Sequence, residues 1–135
     1  MAEFSDYMEN KIIDQMRNVA GVQVAAYVAL FTAVTGLEAN SPSAEVSGNA
    51  YARQLAGLSA ASGGASANAA DITFPTATPS AWGLVTHMAL VDHATNTTWG
   101  TNVNVLMWSP LDVSKQIDAN DTFKINAGDL DVTVD

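Results

Sequence analysis

The chain has 135 residues, 14 acidic against 5 basic for a formal charge of -9, and is 48% hydrophobic with only 14% charged residues. That length fits one domain able to bury roughly two-thirds of the surface its unfolded chain exposes, and the charge excludes nucleic acid and anionic lipid as favoured partners. Without cysteine there is neither a disulfide framework nor a thiolate metal site; with no signal-peptide pattern and no apolar run near ~18 residues, the chain is expected to be soluble and away from membranes.

At the N-terminus, Phe4, Met8, Ile12 and Met16 recur at four-residue spacing, with Ile13 beside them. This spacing predicts an amphipathic helix over 4–17, capped by Ser5, with Asp6 and Glu9 at its positive end and Lys11 and Arg17 toward its negative end. A helix this short is marginal alone in water, so its stripe calls for a neighbour. Residues 1–20 are therefore read as a helical docking arm that packs on the domain's own sheet or on another subunit through Phe4, Tyr7, Met8, Ile12, Ile13 and Met16, with residues 21–135 as a β domain.

Beyond Gly21 the helical period gives way to short β-rich runs separated by Gly, Pro, Asn and Ser. Strands are expected over 22–34, where Tyr27, Val28, Leu30 and Phe31 put apolar groups on both faces, and over 50–58, 71–74, 83–92, 97–108 and 121–134. The 59–66 stretch reads as a hairpin connection or surface loop, and Pro75, Pro79 and Pro110 stand where strands should stop. Leu130, Val132 and Val134 alternate with polar residues, as in a half-exposed strand. Together these features predict an all-β fold, a single jelly-roll-like β-sandwich.

Catalytic chemistry finds little to work with. His87 and His93 are the only imidazoles, and on one strand they would lie about 20 Å apart at ~3.3 Å per residue, too far to share a metal. His87 reads as an interior or interface histidine bonded to backbone. No nucleophile elbow, phosphate loop or HExxH motif is present. Asp118, Asp121, Asp129, Asp131 and Asp135 would suit calcium by ligand type, but not by EF-hand spacing. Trp82, Trp99 and Trp108 with Tyr27 and Tyr51 suggest either sugar stacking or core plugs beside glycines. Arg53, following Tyr51, is expected to make a structural contact by bridging carboxylates or carbonyls. No catalytic residue, metal or cofactor is assigned.

Several segments carry a resemblance that runs along nearly the whole chain: Phe4-Ser5-Asp6-Tyr7-Met8-Glu9-Asn10-Lys11, Tyr27-Val28-Ala29-Leu30-Phe31-Thr32, Glu45-Val46-Ser47-Gly48-Asn49-Ala50-Tyr51-Ala52-Arg53-Gln54, Asn68-Ala69-Ala70-Asp71-Ile72-Thr73-Phe74-Pro75, Trp82-Gly83-Leu84-Val85-Thr86-His87, Asp121-Thr122-Phe123 and Ala127-Gly128-Asp129-Leu130. In these the sequence resembles a family of small phage virion proteins commonly labelled tail fibre proteins, and it is similar to capsid cement or decoration proteins. The resemblance implies a non-enzymatic virion structural protein and suggests a homotrimer. Because no coiled coil or repetitive shaft appears, the expected role is a cement subunit bound to the major capsid protein on the capsid surface. The alternative is a tail fibre or receptor-binding component, contacting tail proteins and host glycans.

Overall fold

The structure, a computed structural model, describes residues 2–17 and 25–134. Its elements in chain order are β1 (Glu3–Phe4), α1 (Asp6–Met16), β2 (Tyr27–Phe31), β3 (Gln54–Leu55), β4 (Ala65–Ala67), β5 (Ile72–Thr73), β6 (Gly83–Val91), β7 (Val105–Ile117), β8 (Lys124–Ile125) and β9 (Asp131–Thr133). The apolar runs of β2, β6 and the first part of β7 build the centre of a five-stranded antiparallel sheet ordered β1-β7-β6-β2-β3. Two short ribbons, β4–β9 and β5–β8, pack beside it.

β2 shows why the sequence gives two cores. Successive strand residues point to opposite faces, and β2 is apolar on both. Val28 and Leu30 enter the larger core, while Ala29 and Phe31 enter the smaller one. The ribbons close the larger core with Ile72, Ile125 and Leu130, joined by Tyr51, Phe74, Trp82 and Phe123. Tyr51 meets Trp82 nearly edge-on at 5.4 Å between ring centroids, a favourable geometry for aromatic pairs. Leu37 and Val103 fill the smaller core, with Trp99 and Trp108 against it. Gly36 makes the Leu37 loop possible: its φ is +80°, and a Cβ there would sit 2.0 Å from the carbonyl oxygen of Ser41.

Two bulges adjust which face each side chain meets. Val91 pairs with Val105 and Leu90 with Met107, leaving Leu106 as an extra residue. Leu106 points into the larger core, and the extra residue lets Val105 and Trp108, three positions apart, both face the smaller one. In β6 the register shifts between Val85 and His87, which places Val85 in the same core as Leu90 despite their odd spacing.

The fold is thus all-β and sandwich-like. The described strands form sheets of five, two and two strands, without the two four-stranded sheets of a jelly roll. Other expectations change locally. Pro110 does not stop a strand; it lies inside β7 opposite His87, at the register shift, where a missing N–H is tolerated. Strand 50–58 contracts to β3, because Ala50 and Gly57 near its two ends take φ of 66° and 58°, values no strand admits. The 97–108 strand starts only at Val105, since Thr98 accepts the amide of Asn102 at 2.9 Å and Gly100 turns the chain. Of the 22–34 strand, 27–31 is formed, and residues 22–24 lie outside the described residues, as does the 20/21 boundary between arm and β domain.

Candidate functional site

Phe4 fits the helical stripe by spacing, but it belongs to β1 and pairs with Met107 of β7. The chain leaves the sheet at Ser5, which is fully buried. The amide of Ser5 donates to the Leu106 carbonyl at 3.2 Å, its hydroxyl donates to the Val105 carbonyl, and the same oxygen accepts the amide of Met8 at 3.3 Å. Ser5 is therefore the helix N-cap and also a pin into β7. The amide of Asp6 donates to the Glu38 carbonyl at 3.1 Å, while the Glu38 carboxylate accepts the Trp108 indole N–H at 2.9 Å.

From this root α1 runs outward. Tyr7 and Met8 pack against the larger core, and the Tyr7 hydroxyl is pushed above its ordinary pKa by burial first and by the charge of Asp92 second. Lys11 lies 5.7 Å from the centre of the Tyr7 ring. Ile12 is half-buried. Ile13 and Met16, however, are 51% and 77% exposed, so the outer half of α1 presents an apolar surface that no described residue covers. Arg17 beside it bonds Asp14 at 3.0 Å on the exposed surface.

Arg53 is the second focus. Its guanidinium grips the Glu45 carboxylate in a two-pronged pair, Nε to Oε1 and Nη2 to Oε2, each at 2.7 Å. Nη1 donates to the carbonyls of His93 and Asn96, both at 2.8 Å. Trp99 covers the group from 4.9 Å. Glu45 Oε1 also accepts the Tyr51 hydroxyl proton at 3.0 Å, and the Tyr51 oxygen in turn accepts the amide of Leu30. Burial, followed by the adjacent Glu45 charge, drives the Tyr51 pKa strongly upward, so this phenol stays protonated. The cluster ties β2, the Glu45–Arg53 segment and the 93–99 loop together. A cleft opens beside it, lined by Ser47, Gly48, Thr95 and Thr97.

The remaining candidates separate. His87 is half-buried beside Trp108 and bonds the Thr86 hydroxyl at 2.8 Å rather than backbone; burial lowers its pKa. His93 lies beyond the end of β6 and turns its Nδ1 onto the amides of Thr95 and Asn96. Among the described residues no three His, Asp or Glu side chains converge in a way that would hold a metal. Asp121 caps the amide of Asp118 at 2.9 Å, and Asp135 is outside the described residues. Trp82 is a core plug, its N–H on the Asn49 carbonyl at 2.9 Å.

Sequence reasoning missed Glu45, the asparagines that brace the loops and the contact of Trp99 with Arg53. Asn68 is buried and holds the C-terminal turn by accepting the Leu130 amide and donating to the Asn126 carbonyl, each at 2.9 Å. Asn40 and Asn104 bond one another at 2.8 Å, and Asn104 also bonds Asp92. The frequency of Asn was the available signal. Their partners lie up to 65 residues away, beyond any local pattern.

A search of curated proteins returned no match. The family described as Podophage GP4 fiber I protein gp80 matches residues 3–133, a span that takes in β1, α1, the Arg53 cluster and the C-terminal ribbon, and the chain belongs to this family of tail-fibre-type phage virion proteins.

Proposed function

We propose that the chain is a non-enzymatic structural subunit of the podophage tail-fibre apparatus, held among tail proteins and further copies of itself by its N-terminal segment. The observation that carries this reading is the fibre-family match over residues 3–133. That match supports the tail reading and lends no support to the capsid-cement role that chain length and the missing shaft favoured. The exposed outer half of α1 fits a subunit contact, since an isolated 11-residue helix gains its stability from packing. A mechanical rather than catalytic role fits the histidines, whose Nδ1 atoms meet the Thr86 hydroxyl and the amides of Thr95 and Asn96 rather than an orienting carboxylate.

Labelled antibody against the chain, viewed on intact virions, tests the location. Label on tails is the expected result, and label distributed over heads overturns it in favour of cement. Particles lacking the chain should keep their DNA and heat resistance while losing host adsorption. Leaky or heat-sensitive heads with normal adsorption would reverse the conclusion.

A further inference from the structure

The loop from His93 to Asn102 has no regular secondary structure, yet it is fastened along its length. His93 Nδ1 accepts the amides of Thr95 and Asn96 at 3.1 and 2.9 Å, Asn96 Oδ1 accepts the amide of Thr98 at 2.8 Å, and Arg53 holds two of its carbonyls from below. Fixing an exposed loop costs conformational entropy at every residue, and a buried ion pair is a weak source of stability in return. What the arrangement does provide is a rigid polar rim, as recognition loops on firm scaffolds require.

The facing rim is also unusual. Gly48, Asn49 and Ala50 are consecutive left-handed residues, two of them carrying a Cβ, and strain of this kind gathers at ligand clamps. At Gly48 an added Cβ would meet nothing within 4 Å, so the backbone there is open to a visitor. Ser47, Thr95 and Thr97, each carrying a hydroxyl, are among the residues that line the cleft, beside the apolar Val46, Ala52 and Ala94. The two charges in the wall, Glu45 and Arg53, satisfy each other. The cleft therefore offers hydroxyl donors and acceptors with no unpaired charge, on a molecule of charge -9 that repels anions.

We infer that the cleft between Ser47–Gly48 and Thr95–Thr97 binds a neutral oligosaccharide. This deepens the fibre reading and rests on it only for the claim that such a sugar lies on the host surface. The test is binding of the full chain to neutral hexose and N-acetylhexosamine oligosaccharides, with uronic-acid oligosaccharides as the anionic arm, read by calorimetry and by backbone amide shifts. Neutral sugars should bind and move the amides of residues 47–48 and 94–97. Thr95→Val with Thr97→Val should weaken binding at least tenfold with an unchanged melting temperature, and Val113→Ser, exposed on β7 outside the cleft lining, should leave it unaltered. Overturning results are no binding of any neutral sugar, a preference for the anionic arm, or shifts confined to another surface. Tail labelling on virions together with failed sugar binding would sink this site and leave the fibre reading standing.

Discussion

Arg53 and Arg17 form ion pairs of very different worth. The Arg53 side chain is 3% exposed in its pair, whereas that of Arg17 is 69% exposed. Removing one partner of a buried pair strands the other charge at a cost of about 3 kcal/mol, while an exposed pair contributes under ~0.5 kcal/mol. Arg53→Ala should therefore lower the melting temperature by roughly 10 °C at this chain size, and Arg17→Ala by an amount near the error of a melting curve. Equal effects would mean the Glu45 clamp is not a structural centre. His87 and Asp71 give the pH dependence. Burial holds the folded His87 pKa below its ordinary 6.5, so the unfolded chain takes up the proton first and stability falls as pH drops through about 6.5. Asp71 is held below 3.8 chiefly by its hydrogen bond to Lys124 and then by the amide of Ala127, so its contribution persists above that value and is lost only as pH falls through the lower folded pKa. His87→Gln should flatten the melting-temperature profile between pH 7 and 5, and an unchanged slope would remove His87 from the account.

At the scale of elements, Ser5 joins α1 to β7, so its hydroxyl serves two partners at once. Ser5→Ala should cost about 1–2 kcal/mol, from the lost cap and the unpaired Val105 carbonyl together, measured by denaturant unfolding. Deleting residues 2–17 should destabilise the β body as well, because β1, Ser5 and the Tyr7–Met8 contacts leave with it; a truncated chain that unfolds at the same denaturant concentration would show the arm to be separable. The helix itself was legible in the four-residue spacing, and β6 in its apolar run. Where sequence reading failed, the cause was backbone that periodicity does not record. Phe4 fits the helical stripe by spacing, yet Ser5 caps at the next residue and leaves Phe4 extended. Left-handed residues at Ala50 and Gly57 cut the 50–58 strand short at both ends, and the extra Leu106 in β7 brings Val105 and Trp108, three positions apart, to the same core. Arg53 was legible as a bridging group, but not its partners, since no local rule links position 53 to 93, 96 or 99.

For the whole molecule, charge and apolar surface make opposing demands on assembly. Each copy carries -9, and three of its five cations are already bonded: Arg53 to Glu45, Lys124 to Asp71 and Arg17 to Asp14. Copies therefore repel at long range, and whatever joins them must act at contact. On the proposed subunit-contact reading, the exposed Ile13 and Met16 supply that contact, because burial of apolar area is insensitive to screening. Raising ionic strength from ~10 mM to ~150 mM shortens the screening length from about 30 Å to about 8 Å, which removes most of the repulsion while leaving the apolar gain in place. Self-association of the isolated chain should accordingly strengthen with salt over that range, as read by sedimentation. Ile13→Ser with Met16→Ser should abolish it at every salt concentration without moving the melting temperature of the monomer. Association that weakens as salt rises would instead mean that Lys11 and Arg17 dock onto the acidic body of a second copy, and the apolar face of α1 would lose its role.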